Sequence, residues 1–336
     1  MAAAFGRFEP VNARPSPADV PSLDLAGPGT LRAAKRVLLA TRPAFFTASV
    51  LPVLVGTAWG FARREQLDGA SFALALLATV LAHAAVNVYN DVGDDQIGAD
   101  EDNSQRIYPY TGGSRFIQCG LLSRAAMARL AAALASGAVI VGAVLAIQHG
   151  PAIVLLGAAG LALGILYSMP GIQLSALGVG EAAVGVGLGA LPVLGSAWLQ
   201  AKTLNLGGVL ISVPVSCWVA AILLINEVPD EASDRRCGKR TLVVRFGPQR
   251  TKSIYRGLTG LAFAANLGAV GMGALPWWFL VFATGLAAGG LHAASGVGPA
   301  SEQRGRLRRS IEQTLAIHAL GAIALIAAIL IPRALG

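Results

Sequence analysis

Residues 87–100 read NVYNDVGDDQIGAD and follow without a break on GASFALALLATVLAHAAV, residues 69–86. With the first residues of the acidic stretch, the apolar run reaches the roughly 20 residues that a membrane-crossing helix needs. Asp91, Asp94, Asp95 and Asp100 therefore stand at the end of a lipid-length segment, where ionised groups are costly unless something holds them. A second stretch repeats the arrangement. NEVPDEASD, residues 226–234, also ends an apolar run, and Asn226, Asp230 and Asp234 match Asn87, Asp91 and Asp95 in the pattern N-x-x-x-D-x-x-x-D.

The rest of the chain is built for lipid. Of 336 residues, 54% are hydrophobic and 13% charged, with a mean hydropathy of +0.62, which places the chain among all-α polytopic membrane proteins rather than soluble domains. Nine spans are predicted, at about 37–61, 69–90, 125–147, 150–168, 178–199, 207–226, 253–273, 275–294 and 311–332. They form one transmembrane domain, residues 37–336, behind a flexible tail, residues 1–36, whose Pro-, Gly- and Ala-rich start lacks a signal peptide's apolar core. Short basic loops stay on the cytoplasmic side. With the N-terminus inside, that side collects every Lys and Arg except Arg63, Arg64, Lys202 and Arg333, and both acidic motifs fall on it.

The net charge of +8 thus belongs to juxtamembrane loops facing anionic lipid and not to a nucleic-acid surface. Cys119, Cys217 and Cys237 show no metal spacing and read as free thiols, and His83, His149, His292 and His318 share no spacing that would gather a metal. The glycine-rich runs GAAGLALG (157–164) and GVGLGALPVLG (185–195) lack a lysine partner and read as helix packing, not as nucleotide loops.

A spacing of four stacks side chains on one helix face, so each motif projects an amide and two carboxylates in one direction. Like charges so placed repel near a low-dielectric surface, and a cation is the natural resolution. Carboxylate and amide oxygens, without Cys or His, suit Mg²⁺, which takes a few carboxylates together with phosphate and water. Bases stand nearby: Arg106 and Arg115 after the first motif, Arg235, Arg236, Lys239 and Arg240 in or after the second. Acids to hold metal beside bases to grip phosphate oxygens make a diphosphate site. Asp94 and Asp100 are further metal candidates, whereas Asp102 and Glu231 read as solvated.

At these residues the chain resembles the UbiA superfamily of intramembrane aromatic prenyltransferases. NVYNDVGDDQIGAD is similar to the N-x-x-N-D-x-x-D-x-x-x-G-x-D of its menaquinone branch, the 1,4-dihydroxy-2-naphthoate polyprenyltransferases. NEVPDEASDRRCGKRTLVVRFG (226–247) resembles that branch's second motif with its G-K-R-T-L, and YTGGSRFIQCGLLS (110–123) the stretch after the first. The resemblance implies nine helices around a central cavity with a lateral opening to lipid, in a bacterial plasma membrane. It implies Mg²⁺ held by Asn87, Asp91, Asp94 or Asp95, Asn226, Asp230 and Asp234, with Asn90 in the substrate site. Asp94 and Asp95 are adjacent, so either can be the ligand.

The implied reaction is Mg²⁺-assisted ionisation of a polyprenyl diphosphate, with Lys239, Arg240 and Arg115 neutralising the departing charge. An aromatic acceptor such as 1,4-dihydroxy-2-naphthoate then captures the allylic cation away from water. Tyr167 and Ser168 fall where the family places a residue near cation and acceptor; a tyrosine there is equally an interfacial anchor. Arg42, in the TRP that opens the first span, contacts acceptor or phosphate, or serves as a positive-inside residue. Two rivals fit less well. Transporter ion sites lie near the midplane on broken helices, and a CDP-alcohol phosphotransferase needs D-x-x-D-G-x-x-A-R where this chain has DVGDDQIG.

Overall fold

The computed structural model describes residues 25–100, 103–169, 171–298 and 300–334; Asp102 and residues 1–24 of the tail lie outside them. Among the described residues the regular structure is all helical. The helices are α1 (Thr30–Ala40), α2 (Thr47–Arg64), α3 (Gly69–Ile97), α4 (Arg124–His149), α5 (Pro151–Ser168), α6 (Gly180–Val184) and α7 (Leu191–Ala201). They continue with α8 (Leu206–Glu227), α9 (Glu231–Arg236), α10 (Leu242–Gly271), α11 (Phe279–Ser295) and α12 (Ala300–Ala334). A π-helical stretch, Gly185–Ala190, joins α6 to α7. Among the described residues, seven segments are long and apolar enough to cross a membrane: Pro43–Arg64, Gly69–Ile97, Arg124–His149, Pro151–Ser168, Gly180–Ala201, Leu206–Glu227 and Arg304–Ile331. Phe279–Ser295 is apolar but shorter.

The first span does not run from 37 as predicted. Arg42 takes a left-handed conformation (φ 57) and Pro43 cannot donate to the preceding turn, so the chain breaks between α1 and α2. As a result α1 stands apart and crosses the boundary placed at residue 36. In α3 the helix outruns its predicted end. Asp68 caps its start by accepting from Ser71 N at 2.9 Å, and Gly98 (φ 74) ends it only after Asp91, Asp94 and Asp95 have been carried past the apolar part. The second motif is broken where one continuous helix was expected. Pro229 removes a donor, so α8 stops at Glu227 and α9 restarts after Asp230.

Packing is closest where small residues let backbones meet. Trp59, Val193, Ile211, Val215 and Trp218 join α2, α7 and α8 in the largest buried cluster, and Gly321 of α12 lies against the Trp218 ring. The prediction that GVGLGALPVLG marks close packing holds: a Cβ on Gly189 would stand 2.6 Å from Ser216 Cα. GAAGLALG does so at one residue, Gly164, whose Cβ would be 3.0 Å from Val86, while Gly157 meets nothing within 4 Å. On α2, a Gly56 side chain would overlap the Val193 carbonyl oxygen. Gly56→Ala is therefore expected to cost about 1–3 kcal/mol of stability. Thermal unfolding in detergent checks it against Gly257→Ala, where a Cβ meets nothing and no loss is expected.

Candidate active site

One end of the bundle encloses a cavity of about 150 Å³. Its wall is drawn from the start of α2, α3, the loop 99–113, α5, the α6–π segment, α8 and residues 230–241. Asn87, Asn90, Asp94, Asn226, Asp230, Asp234, Lys239, Arg42 and Tyr167 all line it, so two motifs some 140 residues apart face one space.

Each carboxylate is held differently. Asp91 is buried and, unlike Asp94 and Asp100, does not line the cavity; its Oδ2 accepts from Ser114 N at 3.2 Å, and its Oδ1, which has no donor, lies beside Gly113 of the cavity wall. Asp230 accepts from Asn103 Nδ2 at 2.6 Å on one oxygen and from Gly112 N at 3.0 Å on the other. Lys239, itself buried, lies 2.7 Å from Asp94 and 3.4 Å from Asp234. Burial disfavours its ammonium, but these carboxylates outweigh burial and hold its pKa well above the usual lysine value. Asp234 is pushed up to about 7, first by burial and against the pull of Lys239. Burial and then the charges of Asp94 and Asp91 drive Asp100 well above the carboxylate range.

Asp95 stands apart. Its carboxylate takes Arg124 Nε at 2.5 Å and Gln118 Nε2 at 3.1 Å, on the side of α3 that packs on α4, and it does not line the cavity. Of the adjacent pair, Asp94 faces the site. Arg240 is exposed and Arg115 lies off the cavity wall, so neither reaches it as the bundle stands. Asn87 donates to Thr41 O at 3.0 Å and Asn90 to the buried Ser168 Oγ at 3.4 Å, which ties α3 to α1 and α5. Arg42 lines the cavity, donates to Tyr110 O at 3.3 Å and lies over the Phe45 ring. Glu231 pairs with Arg235 on the outer surface, and none of the three cysteines, all among the described residues, forms a disulfide.

The sequence pattern singled out YTGGSRFIQCGLLS (110–123) only as a resemblance and gave Asn103, Thr111 and Gly112 no role, yet they clamp the second motif. Asn103, Thr111 and Gly112 all serve Asp230, and Arg304 of α12 holds the loop by donating to the carbonyl of Arg106 at 2.6 Å. The signal was the TGG turn at 111–113. Gly112 and Gly113 both need positive φ, and a Cβ on Gly113 would stand 2.6 Å from Asp100 Oδ2 and 3.1 Å from Asp91 Oδ1.

These two unpartnered carboxylate oxygens form a cradle beside Gly113, and Asn226, which lines the same chamber as Asp100, adds an unpartnered Oδ1; oxygen donors of this kind suit a hard cation such as Mg²⁺. No three acidic, His or Cys side chains of the described residues already converge as a closed metal site. A second cavity, of about 550 Å³ and almost wholly apolar, lies between α3, α4, α5 and α7. Val86, Tyr167, Val184 and Leu188 line both cavities. Tyr167 thus stands at the junction of a charged chamber and a greasy one.

Comparison with known proteins agrees with this architecture. Residues 49–309 match the model of the UbiA prenyltransferase family. The chain is 33% identical over 271 residues to a 1,4-dihydroxy-2-naphthoate octaprenyltransferase of Mycobacterium tuberculosis, covering 79% of this chain and 85% of that one. It is 29% identical over 243 residues to the Bacillus subtilis protein of the same name, covering 72% and 76%. Among solved structures, a UbiA homologue from Archaeoglobus fulgidus bound to DMAPP and Mg²⁺ shares the fold, with a TM-score of 0.62 at 17% identity over 84% of this chain and 99% of that one.

Proposed function

The chain belongs to the UbiA prenyltransferase family, and on that premise we propose that it transfers a polyprenyl group from an allylic diphosphate to 1,4-dihydroxy-2-naphthoate or a similar quinone precursor. The observation that carries this reading is the pair of joined cavities: unpartnered carboxylate oxygens in one, apolar walls in the other, Tyr167 between them. A diphosphate belongs in the first and its isoprenoid tail in the second.

Asp91, Asp94, Asp100, Asn226, Asp230 and Asp234, with Asn87, would hold Mg²⁺, which when bound offsets the diphosphate charge and eases ionisation of the C–O bond. Lys239 is the buried cation beside that charge. The apolar walls would keep water from the allylic cation, and Tyr167, which lines both cavities, would stabilise it through its ring. The electron-rich acceptor ring supplies the electron pair of the new C–C bond as the C–O bond to diphosphate breaks, and with a dihydroxynaphthoate the ring then loses its carboxylate as CO₂ to restore aromaticity. Nine crossings follow if the apolar part of α10, after its break at Gly247–Pro248, and the shorter α11 join the seven long spans. The distribution of Lys and Arg then puts the charged chamber on the cytoplasmic side of a plasma membrane.

Membranes carrying the chain, incubated with labelled allylic diphosphates, Mg²⁺ and a panel of aromatic acceptors, should form prenylated product with a dihydroxynaphthoate. Absence of Mg²⁺-dependent transfer to every acceptor sinks the reading. The apolar cavity can be tested alone. Gly157 lines it and a Cβ there meets nothing, so Gly157→Trp fills it. Long-chain donors should lose about 10-fold or more in kcat/KM while ten-carbon donors stay within about 2-fold, read by competing the two. Equal loss for both would move the tail elsewhere.

A further inference from the structure

Glu181 begins the first turn of α6 and Glu227 ends α8; both are buried, at 4% and 8% exposure, and their side chains meet. The two carboxyl groups are hydrogen-bonded to each other, so one of them carries the shared proton, but Oε2 of Glu227 receives no hydrogen bond. A buried acceptor left open at a cavity wall asks for a donor that arrives with a ligand. Lys239 is not that donor, because it is already committed to Asp94 and Asp234.

Their position says which ligand. Glu227 lines the charged chamber, and a Cβ on Gly180, beside Glu181, would lie 3.5 Å from the Tyr167 ring. Glu227 on the chamber wall, with Glu181 behind it, therefore stands near Tyr167, which lines both cavities, and on the prenyl-transfer reading the acceptor ring meets the allylic carbon there. Glu227 stands opposite in charge to Arg42, the basic residue at the entrance of α2. A ring bearing both hydroxyl and carboxylate groups is oriented by such a polarity, with O–H toward Glu227 and carboxylate toward Arg42.

We propose that Glu227, positioned by Glu181, is the acceptor-hydroxyl site of this chain: its open carboxyl oxygen accepts a hydrogen bond from a ring hydroxyl and selects hydroxylated aromatic acceptors. The inference rests on the prenyl-transfer reading for the identity of the ligand. Donation of the hydroxyl to a carboxylate also enriches the ring in electrons, so the same contact orients the nucleophile and strengthens it. A site built to accept from a hydroxyl rejects the analogue without one far more strongly than an apolar pocket does.

The test is equilibrium dialysis of 1,4-dihydroxy-2-naphthoate and of its two monomethyl ethers against the full chain in nanodiscs, followed by steady-state transfer. Wild type should bind the parent at least about 10-fold more tightly than one of the ethers. Glu227→Gln should raise the acceptor Kd and KM about 10-fold, shrink the parent-to-ether ratio, and leave the diphosphate KM within about 2-fold. Glu181→Gln should give the same pattern, weaker. Unchanged acceptor affinity in both variants overturns the proposal, as does an equal rise in the KM of donor and acceptor, which marks a cation ligand or a structural defect. Should the variants fail to fold, the wild-type preference decides by itself, and equal binding of parent and ethers overturns the proposal. Failure of the prenyl-transfer reading shows separately, as wild type that forms no product with any donor.

Discussion

Asp230→Asn is expected to lower kcat/KM for prenyl transfer by about 10³-fold, the loss that follows when a preorganised charge is withdrawn from a developing diphosphate. The side chain keeps its shape, so the effect is electrostatic. Asp230 uses both oxygens as acceptors, from Asn103 and from Gly112. An amide must turn its NH₂ toward one of these donors, which also loosens the loop that sets Gly113 between Asp91 and Asp100. Asp91→Asn should lose a similar factor, because its Oδ1 is one of the two oxygens of the cradle. Asp95→Asn is the informative contrast. Its carboxylate is spent on Arg124 and Gln118 away from the cavity, so transfer should fall no more than about 3-fold, the scale of an exposed ion pair. Single-turnover transfer in nanodiscs over a Mg²⁺ titration measures all three. More than a tenth of wild-type rate in Asp230→Asn, or a collapse in Asp95→Asn with Asp94→Asn intact, would redraw the site.

Lys239→Met is expected to cost stability as well as activity. Removing one partner of a buried ion pair leaves the other charges uncompensated, at about 3–5 kcal/mol. Here two carboxylates, Asp94 and Asp234, lose the same ammonium. In wild type the folded lysine pKa is raised, so its contribution is complete below the unfolded lysine value of about 10.4 and declines only as pH rises through the folded value. Around neutrality it is constant. The variant differs through Asp234, already at about 7 in wild type, which rises further once Lys239 is gone. A carboxyl with a raised pKa destabilises the fold above that value and is relieved below it. Wild type should therefore regain some thermal stability as pH falls from 8 to 6, and Lys239→Met should regain more, starting from a higher pH. A flat profile in the variant would mean that Asp234 finds another cation.

Much of this was legible in the primary structure. The spans came from unbroken apolar length, which lipid demands of any crossing helix, and seven of them recur in the structure with boundaries shifted by a few residues. The two motifs were legible because a period of four is a local property of helices. That Asp94 faces the cavity could be read only weakly, from the spacing N-x-x-N-D-x-x-D-x-x-x-G-x-D, whose second and last acids fall on Asp94 and Asp100. Adjacent residues on a helix point about 100° apart, and which of two neighbours turns inward depends on where α4 and the 230–241 segment pack.

The basic residues show the limit most clearly. Counting charge near the motifs selected Arg115 and Arg240, which lie off the cavity wall, alongside Lys239, which lies in it. Proximity along the chain does not survive a turn with left-handed residues, as at Arg115 (φ 59) and Gly238 (φ 78). Glu181 and Glu227, and the clamp of Asn103 and Gly112 on Asp230, join residues 46 to 127 positions apart, and no local pattern announces such contacts.

By itself the sequence determined a membrane-spanning helical protein with two oxygen-rich half-sites and the family to which they belong, because hydrophobic length and helical period act within single segments. Only the tertiary structure decided that Asp94 faces in and Asp95 out, that Asp100 joins the site, and that a buried carboxyl pair stands beside Tyr167 where the charged and apolar cavities meet. Those choices are made by packing between segments, where burial and the supply of hydrogen-bond donors depend on neighbours that the chain brings together only when folded.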